Sequence, residues 1–585
     1  MKKVFSYLKK YWLIAILSPI LMIGEVAMDL FQPDLMASIV DDGILGNNMS
    51  LIISTGIKML VFVIIGGFMG VLCAYTATKA ARSVGHDLRR DAFKKVMSLS
   101  IEQTDKFTTG SLVTRLTNDI AMVEDMISMI LRMCIRAPLF FCGGLIFLFG
   151  KHYKFSIVVA CAMPVLIIAL TVILKKATPL FGKVQYRLDK VNSVVQENVG
   201  GARVIKAYVR EDYENKRFSK ANAELRDTNL RVQKLMAFLS PILMIVMNAT
   251  VIAIIYIGGF EAEARGMRPG SIMAAINYST QILMSILMVS NMFQYISRAA
   301  ASAKRVAEIL DTEPAIADGK GVIAKESALA DTTEKTPLVS FKNVSFRYPN
   351  TSGSPVLHDI NLDVMRGETV AVIGATGAGK SSLVSLIPRF YDTTDGEVLF
   401  DGVPVKQYRL EELRSKIGYI MQKSELFSDT IKGNIRWGKP DATDREVEAA
   451  AVIAQADGFI RGFNDGYDTF ISEKGASLSG GQKQRISIAR ALVRHPELLI
   501  LDDSTSALDL ATESKLQTAL KSSLDGTTVI MIAQRIASVK NADRIAVIEK
   551  GTIIDCAPHD VLMQRCGTYV DIYNSQIGNG GAINE

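Results

Sequence analysis

The sequence is short of anything that would staple or metallate it. Its 585 residues include six cysteines (Cys73, Cys134, Cys142, Cys161, Cys556, Cys566), with no CxxC pair and no metal-ligand spacing among them. Four lie in apolar stretches, which argues against a disulfide framework and makes them packing residues. No small-residue cleavage site follows the basic and then apolar start MKKVFSYLKKYWLIAILSPILMIG. A retained first helix is therefore predicted rather than a removable signal peptide. The formal net charge of +7 does not mark a nucleic-acid partner, because the basic residues gather in polar connections beside apolar segments, where anionic lipid is the neighbour. What the chain has in excess is hydrophobicity. At 49% apolar residues and a mean hydropathy of +0.23 it is too apolar for an ordinary soluble protein, and it is too long for one domain.

Six apolar segments stand out, at about 11–40, 51–77, 126–150, 155–174, 235–260 and 270–297. Each reaches the roughly 20 residues that cross about 30 Å of hydrocarbon. The connections 78–125 and 175–234 are long and rich in Lys and Arg. The positive-inside rule makes them cytoplasmic and places both termini inside. Helical periodicity without strong breakers continues through them, so the second and fourth helices are predicted to run on to about 98 and 178. Charges fall inside the spans: Glu25, Asp29 and Asp34 in the first, Arg132 and Arg136 one turn apart in the third. They read either as a site for a cationic substrate or a proton, or as internal ion pairs. Asp41 and Asp42 read as an outer gate or as loop caps. Met284, Met288 and Met292, four residues apart, suit a cavity for varied apolar molecules or plain helix packing.

The remaining chain carries phosphate chemistry. A small, polar Pro/Gly segment at 311–337 reads as a linker. The alternating 339–347 reads as an edge strand, and 444–461 as helical. Gly374-Ala375-Thr376-Gly377-Ala378-Gly379-Lys380-Ser381 fits G-x-x-x-x-G-K-[ST] between an apolar strand at 369–373 and a helix opening with Ser381 and Ser382. In that context backbone N–H groups cradle α- and β-phosphates, Lys380 reaches β/γ oxygens, and the Ser381 hydroxyl ligates Mg²⁺. Ser479-Gly480-Gly481-Gln482 opens a basic helix, whose N-terminus grips phosphate. The apolar run after it ends in Asp502 and Asp503, and a carboxylate there suits a Mg²⁺ held over a nucleotide.

With this P-loop, LSGGQ at 478–482 and LILDD at 499–503, the last 240 or so residues resemble the ATP-binding cassette (ABC) proteins. The resemblance implies ATP and Mg²⁺ as cofactors, Tyr348 as the aromatic on adenine, and Gln422 as the glutamine that joins Ser381 and Asp502 at the metal. It makes 506–509 the D-loop. FTTGSLVTRLTNDI and QENVGGARVIKAYVREDYENKRF resemble the intracellular segments of the six-helix exporters, with coupling turns near Thr104–Thr108 and Arg210–Tyr213. Two family residues are missing. Asp503 stands where the catalytic glutamate follows the Mg²⁺ aspartate, and Gln534 stands where the switch histidine should be. Aspartate is one methylene shorter, roughly 1.5 Å, and a misplaced general base costs about 10² to 10⁴ in rate. Glutamine never carries a histidine's charge.

The resemblance therefore implies a half-transporter of two domains. An all-α, six-helix membrane domain (1–310) with long cytoplasmic helix extensions is fused to an α/β P-loop nucleotide-binding domain (338–575), with a disordered tail at 576–585. It is similar to the degenerate-site subunit of bacterial heterodimeric multidrug exporters, in a multi-pass arrangement in the cytoplasmic membrane. Its own site is weakly hydrolytic, and its intact signature completes the site of a partner that supplies the consensus glutamate and histidine. A small amphipathic drug or lipid is the expected cargo; the absence of a peptidase-like stretch weighs against a peptide. The rival readings are a slow homodimeric exporter and an ATP-gated channel or regulatory membrane protein.

Overall fold

The computed structural model describes residues 2–321, 336–349, 351–475, 477–505, 508–523 and 526–577. Most of the linker and tail expectations, and Ser506 and Ala507 of the expected D-loop, lie outside them, as does the side chain of Asn291 in the sixth span. The chain divides into two compact units, one of Met1–Met97 with Thr109–Thr312 and one of Ser98–Thr108 with Glu313–Glu585.

The first unit is helical. Among the described residues six helices are long and apolar enough to cross a membrane. Met49–Ser98 has 50 residues and Tyr153–Gly200 has 48, so each is about 75 Å long, more than twice the hydrocarbon thickness. The fourth helix thus runs 22 residues past the expected 178, continuing through Pro179, which removes one rung of the hydrogen-bond ladder without ending the helix. The sides are apolar: Leu13, Ile64, Phe68 and Ile252 are each 61–66% exposed, as lipid-facing residues are. Small residues Ala77, Ala80, Ala81 and Val84 line the interior of the second helix, letting neighbouring backbones approach.

The charges expected inside the spans are mostly paired. Arg136 lies 3.0 Å from Glu25 and 3.6 Å from Asp29, with its guanidinium 5.4 Å from the Phe140 ring centre. Lys151 pairs with Asp34. Arg132, one turn before Arg136, has its Nε buried with no hydrogen-bond partner among the described residues. Asp41 accepts the Gly270 N–H at 2.6 Å, near the N-terminus of the sixth helix, and Asp42 pairs with Arg268. Asp41 thus satisfies a first-turn N–H of the sixth helix, and Asp42 makes an ion pair with the residue before it. Met247 packs in the apolar interior with Leu166, Leu170 and Leu283, whereas Met284 is 43% exposed.

The second unit is α/β. Its main sheet has six strands in the order Thr552–Ala557, Arg544–Glu549, Thr369–Gly374, Thr528–Ile532, Leu498–Asp502, Ile417–Ile420, parallel except for the first pair. The strands at 369–374, 498–502 and 528–532 are almost entirely buried, as near-continuous apolar runs in a parallel sheet must be. A second, antiparallel sheet places Pro337–Phe346 between Leu357–Met365 and Asp395–Phe400. That strand is interior, not the edge expected from its alternation. An inner antiparallel strand with one polar face alternates in the same way, so the pattern alone does not separate the two. The stretch expected to be helical at 444–461 is two helices, Asp444–Ile453 and Asp457–Ile460, broken at Gln455, whose φ is +56°.

Candidate nucleotide site

The central strand Thr369–Gly374 ends in the glycine loop, and Lys380–Ser385 begins the helix after it. Gly377 and Gly379 have φ of +83° and +99°, values that side chains resist. A Cβ at 379 would also lie 2.8 Å from Leu357 Cδ2. Tyr348, Thr376, Gly377, Gly379, Lys380, Ser381, Ser382, Gln422, Asp503 and Gln534 line one cavity of about 340 Å³, joined by Val356 and Ile532. Gly374 and Ala375 stand beside it as acceptors: Lys380 Nζ donates to their carbonyls at 2.8 and 2.9 Å. Burial lowers the Lys380 ammonium pKa, against the pull of Asp503 and Asp502. Ala378 packs into the cassette core.

The carboxylates lie at and just past the end of the strand Leu498–Asp502, which is separated from Thr369–Gly374 by Thr528–Ile532. Ser381 Oγ donates to Asp502 Oδ1 at 2.7 Å, and Tyr419 OH donates to Oδ2 at 3.3 Å. Burial raises the Asp502 pKa; these two hydrogen bonds oppose the rise, and the charge on Asp503 adds to it. A buried carboxylate and a hydroxyl in contact are the hard oxygen donors that Mg²⁺ selects, so the residues fit that ion. Asp503 has a φ of +48°, and its N–H donates to Ile532 O at 3.0 Å. Two carboxamides converge on its Oδ2: Gln422 Nε2 at 3.0 Å and Gln534 Nε2 at 2.8 Å.

Tyr348 shares a hydrogen bond of 2.9 Å with Ser382 Oγ and packs edge-on to Phe346 and Tyr391, leaving an aromatic wall at the cavity rim. The signature residues do not line this cavity. Ser479 caps the Gly480–Leu492 helix, accepting from Gln482 N at 3.3 Å, while Gln482 Oε1 accepts from Ser479 N at 2.9 Å. That capping box leaves Gly480 and Gly481 at the exposed first turn.

Two participants are invisible in the linear motifs. Tyr419 reaches Asp502 because its strand runs parallel to 498–502, with Tyr419 opposite Ile500; the only sequence signal is an aromatic three residues before Gln422. Gln576, from the C-terminal helix, donates to Gln534 O at 2.7 Å and accepts from Ile536 N at 2.8 Å. Nothing local signals that bracket, since its partners lie 42 and 40 residues away. The helix carrying it runs to Ile577, past the boundary expected at 575.

Comparison with known proteins agrees with this geometry. The ABC transporter transmembrane region family matches residues 15–286, and the ABC transporter family matches 357–506. An uncharacterised ABC transporter ATP-binding protein of Bacillus subtilis, YfiB, is 39% identical over 582 residues, covering all of both chains. An ATP-dependent lipid A-core flippase of Chromobacterium violaceum is 31% identical over 575 residues, covering 98% of this chain and 97% of that one. The solved structure of a bacterial Atm1-family ABC exporter with ATP bound superposes with a TM-score of 0.78 at 25% identity, covering 96% of this chain and 99% of that one. A fold and sequence shared along the whole length, with a phosphate loop and paired carboxylates at its centre, make this chain a member of the ABC transporter family: a multi-pass membrane half-transporter of exporter type that uses ATP and Mg²⁺.

Proposed function

We propose that this chain is one half of a heterodimeric exporter of small amphipathic molecules, contributing the degenerate ATP site. The observation that carries the reading is the setting of Asp503. It is a carboxylate one methylene short of the family's base, with two carboxamide donors, Gln422 and Gln534, already on the same oxygen. A general base must keep a lone pair for the proton of the attacking water. Here two donors on Oδ2 draw charge from the carboxylate and weaken it as a base, although Oδ1 is an acceptor too, and Gln534 cannot supply the cation that a histidine would. ATP bound by Lys380, Ser381 and Asp502 then holds two cassettes together, while Ser479, Gly480, Gly481 and Gln482 complete the partner's competent site. We assign 1–310 to the membrane domain, 311–337 to the linker, 338–577 to the cassette and 578–585 to the tail. Cargo of drug or lipid type is supported by relatives named as lipid A-core flippases.

The test is the ATPase rate of the full chain alone in lipid, beside the same chain carrying Asp503→Glu and Gln534→His. The wild type is expected near background and the double variant at least tenfold higher. Slow but clear turnover by the wild type would favour the homodimer, robust turnover would show that Asp503 suffices as the base, and no gain in the variant would remove the argument from these two positions.

A further inference from the structure

The chain crosses between its two units three times, at 97/98, 108/109 and 312/313. The short helix Ile101–Phe107, between the first two crossings, groups with the cassette, and so does the strap that follows the third. One side chain is bonded to both. Gln103 Oε1 accepts from Ser100 N at 3.1 Å and from Ala315 N at 3.1 Å, while Nε2 donates to Glu313 O at 2.7 Å. A carboxamide that donates to one carbonyl and accepts from the amide two residues on fills both backbone groups as a neighbouring strand would.

Beyond Ala315 the strap is laced to the cassette. Arg389 Nη1 donates to Ala317 O at 3.0 Å, and Asp318 Oδ1 accepts from Leu410 N at 2.7 Å. The Gly319 and Gly321 N–H groups donate to Tyr408 and Gln407 carbonyls at 3.2 and 3.1 Å. A side chain at 319 would collide with those carbonyls, so glycine is what lets the strap lie this close. Arg389 is buried and anchored by Asp392 at 2.8 Å. Two residues on, Tyr391 packs edge-on against Tyr348, 5.3 Å away, at the rim of the nucleotide cavity.

We infer that Gln103 is a positioning residue for ATP-driven transport. It fastens the Ile101–Phe107 helix and the strap to each other, so that nucleotide binding displaces the cytoplasmic ends of the second, third and sixth membrane helices as one body. Without it the two attachments respond separately, and ATP binding loses its grip on the membrane half. The inference rests on membership of the ABC transporter family and requires ATP binding but no hydrolysis, so it stands or falls apart from the degenerate-site reading.

Hydrogen exchange of the full chain in lipid nanodiscs, with and without Mg·ATP, tests it. In Gln103→Ala the Ser100 and Ala315 amides should exchange at least tenfold faster, with Leu410 and Gly319 unchanged. Half-saturating ATP should stay within twofold, while the ATP-induced change in exchange at the outer turn 45–48 falls to less than half. Gln103→Glu keeps the acceptor but turns an oxygen toward the Glu313 carbonyl; it should move in the same direction and guards against a folding defect in the alanine variant. Unchanged exchange at Ala315 overturns the proposal. So does an outer-turn response equal in the wild type and both variants, including none in any of them.

Discussion

The two units keep their charges in opposite places. The membrane unit turns large apolar side chains outward and sets the largely shielded Glu25 against Arg136, with the half-exposed Asp29 beside them. The cassette buries Leu498 to Leu501 completely and leaves most of its ion pairs at the surface, as with Arg461 and Glu448. The solvent explains the inversion. Lipid offers no hydrogen bonds, so a charge there must find its partner within the protein. Water solvates surface charges and drives apolar strands together instead. A buried pair is then a requirement in one unit and largely optional in the other.

The sharpest way to break this comparison is to remove Arg136. Arg136→Leu strands Glu25 and Asp29 and should cost about 3–5 kcal/mol, most of it regained when Glu25 and Asp29 are also made apolar. Thermal unfolding in nanodiscs measures it; a neutral single variant would mean that water, not Arg136, solvates those acids. Next in size is a paired truncation. Ile500→Ala, fully buried in the cassette, should cost about 2–5 kcal/mol. Ile64→Ala, 61% exposed on the membrane unit, should stay within about 0.5 kcal/mol. Equal costs would contradict the inside-out assignment.

The smallest effect is a pH dependence in the cassette. Burial raises the Glu368 pKa, but hydrogen bonds from Arg544 and the Met365 N–H outweigh it and hold the carboxyl below its usual 4.5. A carboxyl depressed in the folded state contributes stability that is present above its unfolded pKa and lost as pH falls through the folded one. The gap in unfolding temperature between wild type and Glu368→Gln should therefore be constant from pH 8 to 6 and shrink below about pH 4.5. A gap that persists undiminished into acid would show that the pair acts through packing alone.

The phosphate loop and the signature were legible because their chemistry is local. A cradle of backbone N–H groups needs consecutive residues, and a helix cap needs its partner three positions away. The spans were legible because a bilayer demands about 20 apolar residues in a row. Arg132 and Arg136 could not be told apart, since the same residue type one turn apart has the same periodicity. They differ only in what the first helix sets opposite Arg136. Tyr419 and Gln576 were missed because each braces a site residue, Asp502 or Gln534, from a separate element. The strand at 337–346 was misplaced at an edge because pairing partners leave no mark on a strand's own alternation.

The sequence by itself therefore determined the medium of each unit, the family, and the two exchanged residues Asp503 and Gln534, all of which are read within a few consecutive positions. Only the tertiary structure decided where those residues point. Two carboxamides from separate segments meet on one Asp503 oxygen, Asp502 lies between Ser381 and Tyr419, and Gln103 joins segments 210 residues apart. The physical reason is that a hydrogen bond is specified by distance and angle, over about 3 Å. Sequence separation carries no information about which distant groups will come that close.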